Sequence, residues 1–278
     1  MCNYGIRGAD GQFITLTGNQ IGAMLLDYII TGARECGRLS EHAFAVKTIV
    51  STDMVTEICR RNGVQLYDVL TGFKFIGKVV SDYEERTGRS ADEDFLLGFE
   101  ESNGYARGTF LRDKDAVTAT VLLCEMAAYY HTKGKTVYQA LLDMYDRYGL
   151  YVERTSNVYM EGIDGTERMR ALMERLRSKP PKTVGGSEGI GIRDYLTGKA
   201  VDLRTGAESG TGCPESNVLY YILEGDNKVV IRNRAEDQDI LSLPYRERRY
   251  GSTRCACRLR KRVDEGDNGN LISVPNIR

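Results

Sequence analysis

The sequence predicts an α/β fold, in which a mostly parallel sheet with flanking helices is followed by a small, incomplete α+β domain. Short β-rich runs alternate with longer helical stretches from residue 13 to residue 101, a pattern typical of βαβ units. From about residue 183 onward, short strand-like runs follow one another with little helix between them. The two patterns together indicate a parallel-sheet domain and a second, smaller domain.

The first domain is expected to contain four strands, each followed by a helix or a polar turn. The predicted strands are residues 13–16, 43–50, 65–70 and 95–99. The predicted helices between them are residues 19–31, a second helix that ends at residue 61, and residues 75–86. In the first helix, apolar side chains recur at i, i+3 and i+4 from Ile21 to Ile29, so we expect that face to pack on the sheet.

The end of the first domain is predicted from proline and glycine. Three further helices are expected at residues 115–130, 137–148 and 165–177. Pro180 and Pro181 then interrupt the helical pattern, because proline lacks the amide donor that a helix interior needs. We therefore expect the first domain to span residues 13–182, and the glycine-rich residues 185–189 to form a linker. Short strands at residues 201–203, 217–223 and 228–232 predict a partial α+β domain over residues 183–232.

Composition indicates an ordinary globular protein in a reducing compartment. The net charge is −1 and 41% of residues are hydrophobic, so the whole molecule has no cationic excess that would favour nucleic acid or acidic membranes. Seven cysteines without CxxC spacing predict neither a disulfide framework nor a zinc site. No apolar run approaches the roughly 18 residues of a membrane helix, and no signal peptide is evident. We expect a cytoplasmic protein that binds neither nucleic acid nor membrane.

Two polar loops follow predicted strands, at residues 71–74 and 100–104. Ligands of open parallel sheets bind outside the carboxyl ends of the strands. The carboxylates of Glu100 and Glu101 and the hydroxyl of Ser102 can hydrogen-bond vicinal hydroxyls of a sugar, and Gly104 lets the backbone approach a ligand. The alternative is a solvated turn in which Glu101 or Ser102 caps the next segment.

A charged run, residues 112–115, precedes the predicted helix that begins at residue 115. Asp113 or Asp115 can cap that helix, because carboxylates are favoured at helix N-termini. Lys114 can meet a phosphate or act in proton transfer, but a single lysine before a helix is also common on solvated surfaces. Spacing alone leaves both readings of Lys114 open.

The ordered segments 70–77, 98–105 and 112–117 resemble the third domain of phosphoglucomutases and phosphomannomutases. Residues 16–22 and 46–52 are similar to the same domain, so the resemblance covers roughly residues 5–232. It implies that residues 1–12 are a remnant of the preceding domain. It also implies a four-domain enzyme in which a phosphoserine of the first domain exchanges phosphate with a hexose phosphate, through a hexose bisphosphate and with magnesium.

Carried over by position, the resemblance assigns the site residues. Glu100 and Ser102 would bind sugar hydroxyls, Thr71 and Gly72 would line the loop that senses sugar orientation, and Lys114 would lie near the transferring phosphate as the candidate catalytic residue. The expected substrate-binding set is Thr71, Gly72, Lys74, Glu100, Ser102, Gly104 and Arg112.

The loops that move phosphate in the family are not found in this sequence. No segment matches the serine loop or the aspartate-rich magnesium loop, so no metal site is assigned. We expect the chain to be the sugar-recognising C-terminal half of a mutase and inactive alone. The rival expectation is a non-catalytic sugar-phosphate binding module, or a subunit that docks on a separately encoded N-terminal half.

The end of the chain departs from the family in a specific way. Residues 217–221 and 228–232 resemble the strand pair that precedes the family's phosphate-binding loop, but that loop is missing after Arg232. Codons that encode residues 232–240 can, after a shift of frame, encode Gly-Thr-Glu-Pro-Lys-Ile-Lys, which is the expected sequence. We therefore hypothesise a frameshift near Arg232 and expect residues 233–278 to form a disordered tail. Its basic residues, and Cys255 and Cys257, then need no functional role.

Overall fold

The computed structural model describes residues 3–158, 164–232 and 239–247. Within the described residues, the chain divides into two compact units after Leu150. The first unit contains strands β1 Gly5–Arg7, β2 Phe13–Thr15, β3 Phe44–Thr48, β4 Gln65–Val69, β5 Phe95–Glu100 and β6 Gly104–Ala106. Its helices are α1 Gly18–Glu35, α2 Met54–Asn62, α3 Phe73–Thr87, α4 Ala116–Thr132 and α5 Val137–Tyr148.

The sheet of the first unit has the order β4-β3-β5-β6. Strand β3 pairs in parallel with both β4 and β5, and all five of its residues are buried, as expected for the interior strand of a covered sheet. Strand β6 returns antiparallel to β5, with Glu100 opposite Gly104. The α/β fold with a mostly parallel sheet is therefore confirmed, and the short antiparallel strand is an addition to the prediction.

Helices cover this sheet because their apolar faces match it. Thr17 caps α1 through a capping box, in which its hydroxyl accepts from the Gln20 amide at 3.2 Å and Gln20 bonds back to the Thr17 amide at 2.8 Å. Gly22 of α1 lies directly against the ring of Phe99, so the helix approaches β5 closely. Helix α3 contributes to an apolar cluster on the sheet, made of Phe44, Val46, Phe73, Ile76, Val80, Tyr83, Ala91, Phe95 and Ala106.

The first predicted strand does not join the parallel sheet. Residues Phe13–Thr15 pair instead with Gly5–Arg7 in a separate antiparallel ribbon. Phe13 is 71% exposed, whereas a strand inside a parallel sheet is buried on both faces. The ribbon also places residues 5–7 in the first unit, although the sequence predicts that residues 1–12 belong to a preceding domain.

The second unit is built on a sheet of order β11-β10-β9-β12-β13-β14-β7, with β8 paired to β9. The pairs from β11 to β14 are antiparallel. Its strands are β7 Leu150–Val158, β8 Thr183–Val184, β9 Ser187–Asp194, β10 Lys199–Asp202, β11 Glu208–Gly210, β12 Val218–Leu223, β13 Asn227–Arg232 and β14 Asp239–Glu247. It has one α-helix among the described residues, α6 Gly165–Ser178, and a 3-10 turn at Glu224–Asp226. The second unit therefore extends beyond residues 183–232, the range predicted for the small α+β domain.

The predicted boundary after residue 182 differs from the observed division after Leu150. Helix α6 belongs to the second unit because Met173 packs in one cluster with Leu219 and Tyr221. The hydroxyl of Tyr221 also donates to the carbonyl of Leu176 at 3.0 Å. Helix α6 therefore covers the sheet that follows it in sequence, and the prolines after it do not mark a domain boundary.

The glycine-rich segment after residue 182 is a hairpin, not the predicted linker. Gly185 and Gly186 have φ of 58° and 85°, and the flanking residues Val184 and Ser187 pair across them. Two consecutive residues at positive φ are the requirement of a type I′ turn, which suits the twist of paired strands. The two glycines therefore connect β8 to β9.

Part of the predicted disordered tail has regular structure. Residues Asp239–Glu247 form β14, which pairs with β13 from Val230 opposite Ser242 to Arg232 opposite Ile240. The prediction of disorder used the composition of residues 233–278 as a whole, and an average composition does not exclude a short segment that pairs with a neighbouring strand. Residues 233–238, with most of the hypothesised frameshift, and residues 248–278, with Cys255 and Cys257, lie outside the described residues.

Candidate functional site

The sheet of the first unit has a topological switch point between β3 and β5. From β3 the chain first crosses to β4 on one side and then returns through α3 to β5 on the other side. The loops that leave the carboxyl ends of β3 and β5 therefore diverge and leave a crevice, which is where open α/β sheets bind ligands. Both polar loops predicted from the sequence lie at this edge.

Glu100 is the last residue of β5 and is only 8% exposed. Its Oε1 accepts a hydrogen bond from the amide of Gly72 at 2.7 Å, at the N-terminus of α3. The positive end of the helix stabilises a carboxylate at that position. Gly72 has a φ of 118°, which only glycine adopts readily, so this amide is aimed at Glu100 by the backbone. The predicted sugar-binding carboxylate is thus held against the predicted orientation-sensing loop.

A side-chain hydrogen bond connects the turn after Glu100 to the end of β3. The hydroxyl of Thr48, the last residue of β3, donates to Oε2 of Glu101 at 3.3 Å and lies 2.9 Å from the hydroxyl of Ser51. Thr48 and Ser51 are both fully buried. This contact joins the carboxyl ends of the two strands that border the switch point. Ser102 is exposed at the tip of the turn.

The same turn also contacts the start of α1, through a hydrogen bond and through the backbone. The hydroxyl of Tyr105 donates to the carbonyl of Gly18 at 3.0 Å. A side chain at Gly18 would overlap the carbonyl of Glu101, so the helix start and the turn are in direct backbone contact. Asn103 has a φ of 62°, in the left-handed region that asparagine tolerates better than most residues. These contacts give the turn a defined shape.

Lys114 approaches the same crevice from the loop before α4. Its Nζ lies 4.9 Å from the ring centroid of Phe73, the first residue of α3, and 3.4 Å from Oδ1 of Asp113. Its aliphatic stem passes over Gly104, where an added Cβ would lie 2.7 Å from Lys114 Cδ and 2.9 Å from Phe73 Cε2. The absence of a side chain at residue 104 therefore makes room for the lysine. Asp115 caps α4 by accepting from Val117 at 2.9 Å, which confirms its predicted capping role.

The other predicted site residues, Thr71, Lys74 and Arg112, have no contact of this kind with Glu100 or Lys114 among the contacts described. Thr71 is partly buried in the loop before α3, and Lys74 is exposed with its Nζ 4.9 Å from the ring of Phe75. Arg112 pairs with Glu84 at 2.5 Å. Glu84 lies twelve residues after Gly72, or about 18 Å along α3 at the rise of an α-helix. The structure thus groups Gly72, Glu100, Gly104 and Lys114, while the predicted substrate role of Arg112 stays a prediction.

Two contributors to this arrangement were not identified from the sequence as site residues. Phe73 contacts both Gly104 and Lys114, and Thr48 joins the ends of β3 and β5. A polar residue at the end of a buried strand is a signal that could have indicated Thr48. Phe73 carries no such signal, because its contact with Lys114 depends on the fold.

The described residues offer no metal centre. They contain no group of three or more His, Cys, Asp or Glu side chains arranged to hold a metal ion. Magnesium is bound by several oxygen ligands, so these residues do not fit the ion that the resemblance implies. The helices of the described chain are also too short or too polar to cross a membrane. The chemistry that the crevice can perform is hydrogen bonding to hydroxyls by Glu100 and attraction of an anion by Lys114.

Comparison with known proteins identifies the first unit. Residues 17–148 match the family model of the phosphoglucomutase/phosphomannomutase α/β/α domain III. The chain is 32% identical to the phosphoglucomutase of Staphylococcus aureus strain bovine RF122 / ET3-1 over 216 residues, which cover 78% of this chain and 37% of that protein. It is also 32% identical to the phosphoglucomutase of S. aureus strain USA300 over 218 residues.

A solved structure agrees at the level of the fold. The open form of pp63/parafusin, a phosphoglucomutase from Paramecium, superimposes with a TM-score of 0.55 and 14% identity, covering 92% of this chain and 42% of that chain. The chain thus spans less than half the length of the proteins that it matches. The matched residues 17–148 contain both polar loops and Lys114. The first unit of this chain is therefore a domain III of the phosphoglucomutase/phosphomannomutase family.

Proposed function

We propose that the first unit recognises the hexose of a hexose phosphate, and that this chain supplies the sugar-recognition part of a phosphohexomutase that interconverts hexose 1-phosphate and hexose 6-phosphate. The observation that carries this proposal is the position of Glu100, a buried carboxylate at the switch point that is held by the amide of Gly72 at 2.7 Å. Family membership supports the same substrate class.

The crevice suits a ligand that has hydroxyls at one end and an anion at the other. The Glu100 carboxylate accepts hydrogen bonds from hydroxyls, and the exposed Ser102 can both donate and accept. Lys114 carries a positive charge beside the same hairpin and attracts a phosphate. Because charge-assisted bonds are about twice as strong as neutral ones, these two charged groups should dominate the affinity.

Transfer of the phosphate needs more than recognition. In the family as a whole, the resemblance assigns that step to a phosphoserine, with magnesium and a hexose bisphosphate as cofactors. We propose that these groups lie in segments of the mutase that this chain does not match, since the chain covers 37% of the phosphoglucomutase to which it is similar. The role of this chain is then to bind and orient the sugar, with hexose phosphate as its partner.

Titration with glucose 1-phosphate and mannose 1-phosphate, followed by heteronuclear NMR of the full chain, tests the binding role. We expect saturable shifts centred on residues 71–74 and 100–104. Glu100→Ala should weaken binding by roughly tenfold or more, the magnitude of one hydrogen bond to a charged group. Glu93→Ala, which removes an exposed carboxylate near the opposite end of β5, is the matched control and should bind like the wild type.

Loss of the Gly72 contact could by itself disturb the loop in Glu100→Ala. Glu100→Gln keeps an oxygen that can accept from the Gly72 amide, but it removes the charge. An intermediate loss of affinity in this variant, with an unchanged circular dichroism spectrum, supports direct recognition. Absence of binding by the wild type, or equal affinity in all variants, would contradict the proposed function. Turnover of glucose 1-phosphate by the chain alone would show that phosphate transfer does not need other segments.

A further inference from the structure

Two charged side chains of the proposed site contact neighbouring residues at the start of α3. Glu100 bonds the amide of Gly72 at 2.7 Å, and the ammonium of Lys114 lies 4.9 Å from the ring centroid of Phe73. The two contacts come from different segments of the chain, β5 and the loop before α4. The first turn of α3 is therefore a common support for the group that meets hydroxyls and the group that meets phosphate.

Phe73 can act as a support because its own position is fixed. It is 4% exposed and packs in the cluster that contains Ile76, Val80 and Phe95. Lys114, by contrast, has a side chain that is 45% exposed, and a lysine stem has many rotamers when nothing holds it. A cation within about 6 Å of an aromatic face is attracted to the ring, which restricts those rotamers.

Other contacts do not hold Lys114 equally well. Its ion pair with Asp113 spans 3.4 Å, but the Asp113 side chain is 65% exposed, and solvent screens such pairs strongly. Gly104 only provides space, since it has no side chain to bond the lysine. The ring of Phe73 is the buried, fixed surface beside the ammonium.

We propose that Phe73 is a positioning residue, whose ring holds the Lys114 ammonium beside the Gly72–Glu100 contact so that both charges meet one phosphorylated sugar. The identity of the ligand rests on the proposed function, whereas the positioning of Lys114 does not. Phe73 touches no reacting atom in this arrangement and acts only through Lys114.

The first test needs no ligand. Ring currents shift protons above an aromatic face upfield, so the ε-methylene protons of Lys114 should resonate upfield of those of the other lysines in NMR spectra of the full chain. Lys114→Met assigns the signal by removing it. Phe73→Leu should return the shift to the ordinary lysine range, and Phe95→Leu, which removes another ring from the same cluster, should leave it displaced. The positioning role is overturned if the Lys114 protons of the wild type resonate in the ordinary lysine range. It is also overturned if the upfield displacement disappears in both Phe73→Leu and Phe95→Leu.

The second test is a double-mutant cycle with glucose 1-phosphate as the probe. Phe73→Leu should weaken binding roughly two- to fivefold, the scale of one cation–π contact. In a Lys114→Met background the same change should have no further effect, because no ammonium remains to be positioned. An equal loss in both backgrounds would show that Phe73 acts only through packing and would overturn the proposal. Failure of the wild type to bind would contradict the proposed function, while the ligand-free test would still decide the positioning role.

Discussion

Lys47 shows how a charged residue near the switch point serves the fold. It is the last residue but one of β3 and has a side chain that is 1% exposed, and its Nζ pairs with Asp68 at 2.8 Å and Asp53 at 3.1 Å. A buried ammonium is tolerated only when it is paired in this way. Because these carboxylates come from β4 and from the loop after β3, the lysine ties two strand ends together. A ligand in the crevice cannot reach it without moving those partners.

Asp53 shows how a buried charge changes the cap of a helix. The side-chain oxygens of residues 51–53 can all cap α2 by their position in the sequence, yet Asp53, the residue before the helix, makes no capping hydrogen bond. Its carboxylate is drawn to the buried Lys47, and Thr52 accepts from the Met54 amide at 3.2 Å instead. A charge that must be compensated in the interior takes precedence over a cap, which contributes only about 1 kcal/mol.

Glu57 should give the first unit a measurable acid sensitivity. The hydrogen bond from Arg60 is the largest cause that lowers the pKa of Glu57 from 4.5 to about 2, with Arg61 adding to it and burial opposing it. A lowered folded-state pKa stabilises the folded state above the ordinary pKa and loses that contribution as pH falls toward 2. We therefore expect urea midpoints, followed by circular dichroism, to fall between about pH 5 and pH 2.5.

The control for this prediction is Glu57→Gln, which cannot titrate. Its stability should be lower than that of the wild type near neutral pH, and the difference between the two proteins should shrink as the pH falls. The other carboxylates titrate in both proteins, so they cancel in the comparison. A constant difference across the whole range would show that the pKa of Glu57 is not lowered by folding.

Among the elements, helices with clear end signals were predicted well. Helix α5 was predicted at residues 137–148 and forms there, since Thr136 begins it with a capping box and Gly149 follows it. Strand β6 was missed because three residues carry too little periodicity. The prediction that β2 belongs to the parallel sheet is wrong, because β-rich composition does not specify the partner of a strand. Helices depend mainly on local contacts, whereas strand pairing is decided by distant segments.

Two glycines of α1 should respond in opposite ways to alanine. A methyl group at Gly22 would overlap the ring of Phe99, while at Gly32 there is no neighbouring atom within 4 Å of the added carbon. Gly22→Ala should therefore lower the free energy of unfolding by about 1–3 kcal/mol, the usual cost of overpacking a core. Gly32→Ala should raise it by about 0.5–1 kcal/mol, because alanine favours a helix over glycine.

Chemical denaturation followed by circular dichroism measures both changes, and each variant is the other's control within one helix. If both substitutions stabilise the protein, α1 does not approach β5 as closely as the contact between Gly22 and Phe99 indicates. Equal destabilisation would instead mean that the surroundings of Gly32 are more crowded than described.

For the whole molecule, the sequence predicted two domains but not where they divide. The resemblance and the strand pattern located both polar loops, and the structure places them at one edge of one sheet. Pro180 and Pro181 predict a boundary after residue 182 because they end α6, yet α6 packs on strands that come after it. A helix covers the sheet whose surface fits its buried face. That surface is formed by distant segments, so the order of residues along the chain does not reveal which sheet it is.

Each unit has a core of its own, so damage to one core should leave the other intact. Leu219 is fully buried in the second unit, together with Tyr221 and Met173. Leu219→Ala should cost that unit about 2–5 kcal/mol of unfolding free energy, through lost burial and the cavity that remains. Amide hydrogen exchange, measured by mass spectrometry, should then accelerate in β12 and β13 and remain unchanged in β3 and β5, because local opening follows the stability of each cooperative unit.

Glucose 1-phosphate affinity provides a second readout of the same variant. The proposed ligand-binding residues all precede Leu150, so Leu219→Ala should bind with wild-type affinity as long as the first unit folds independently. Equal acceleration of exchange in β3 and β5 would show that the two units unfold as one, and a matching loss of affinity would follow from that coupling. Unchanged exchange in β12 would instead mean that Leu219 does not anchor the second core.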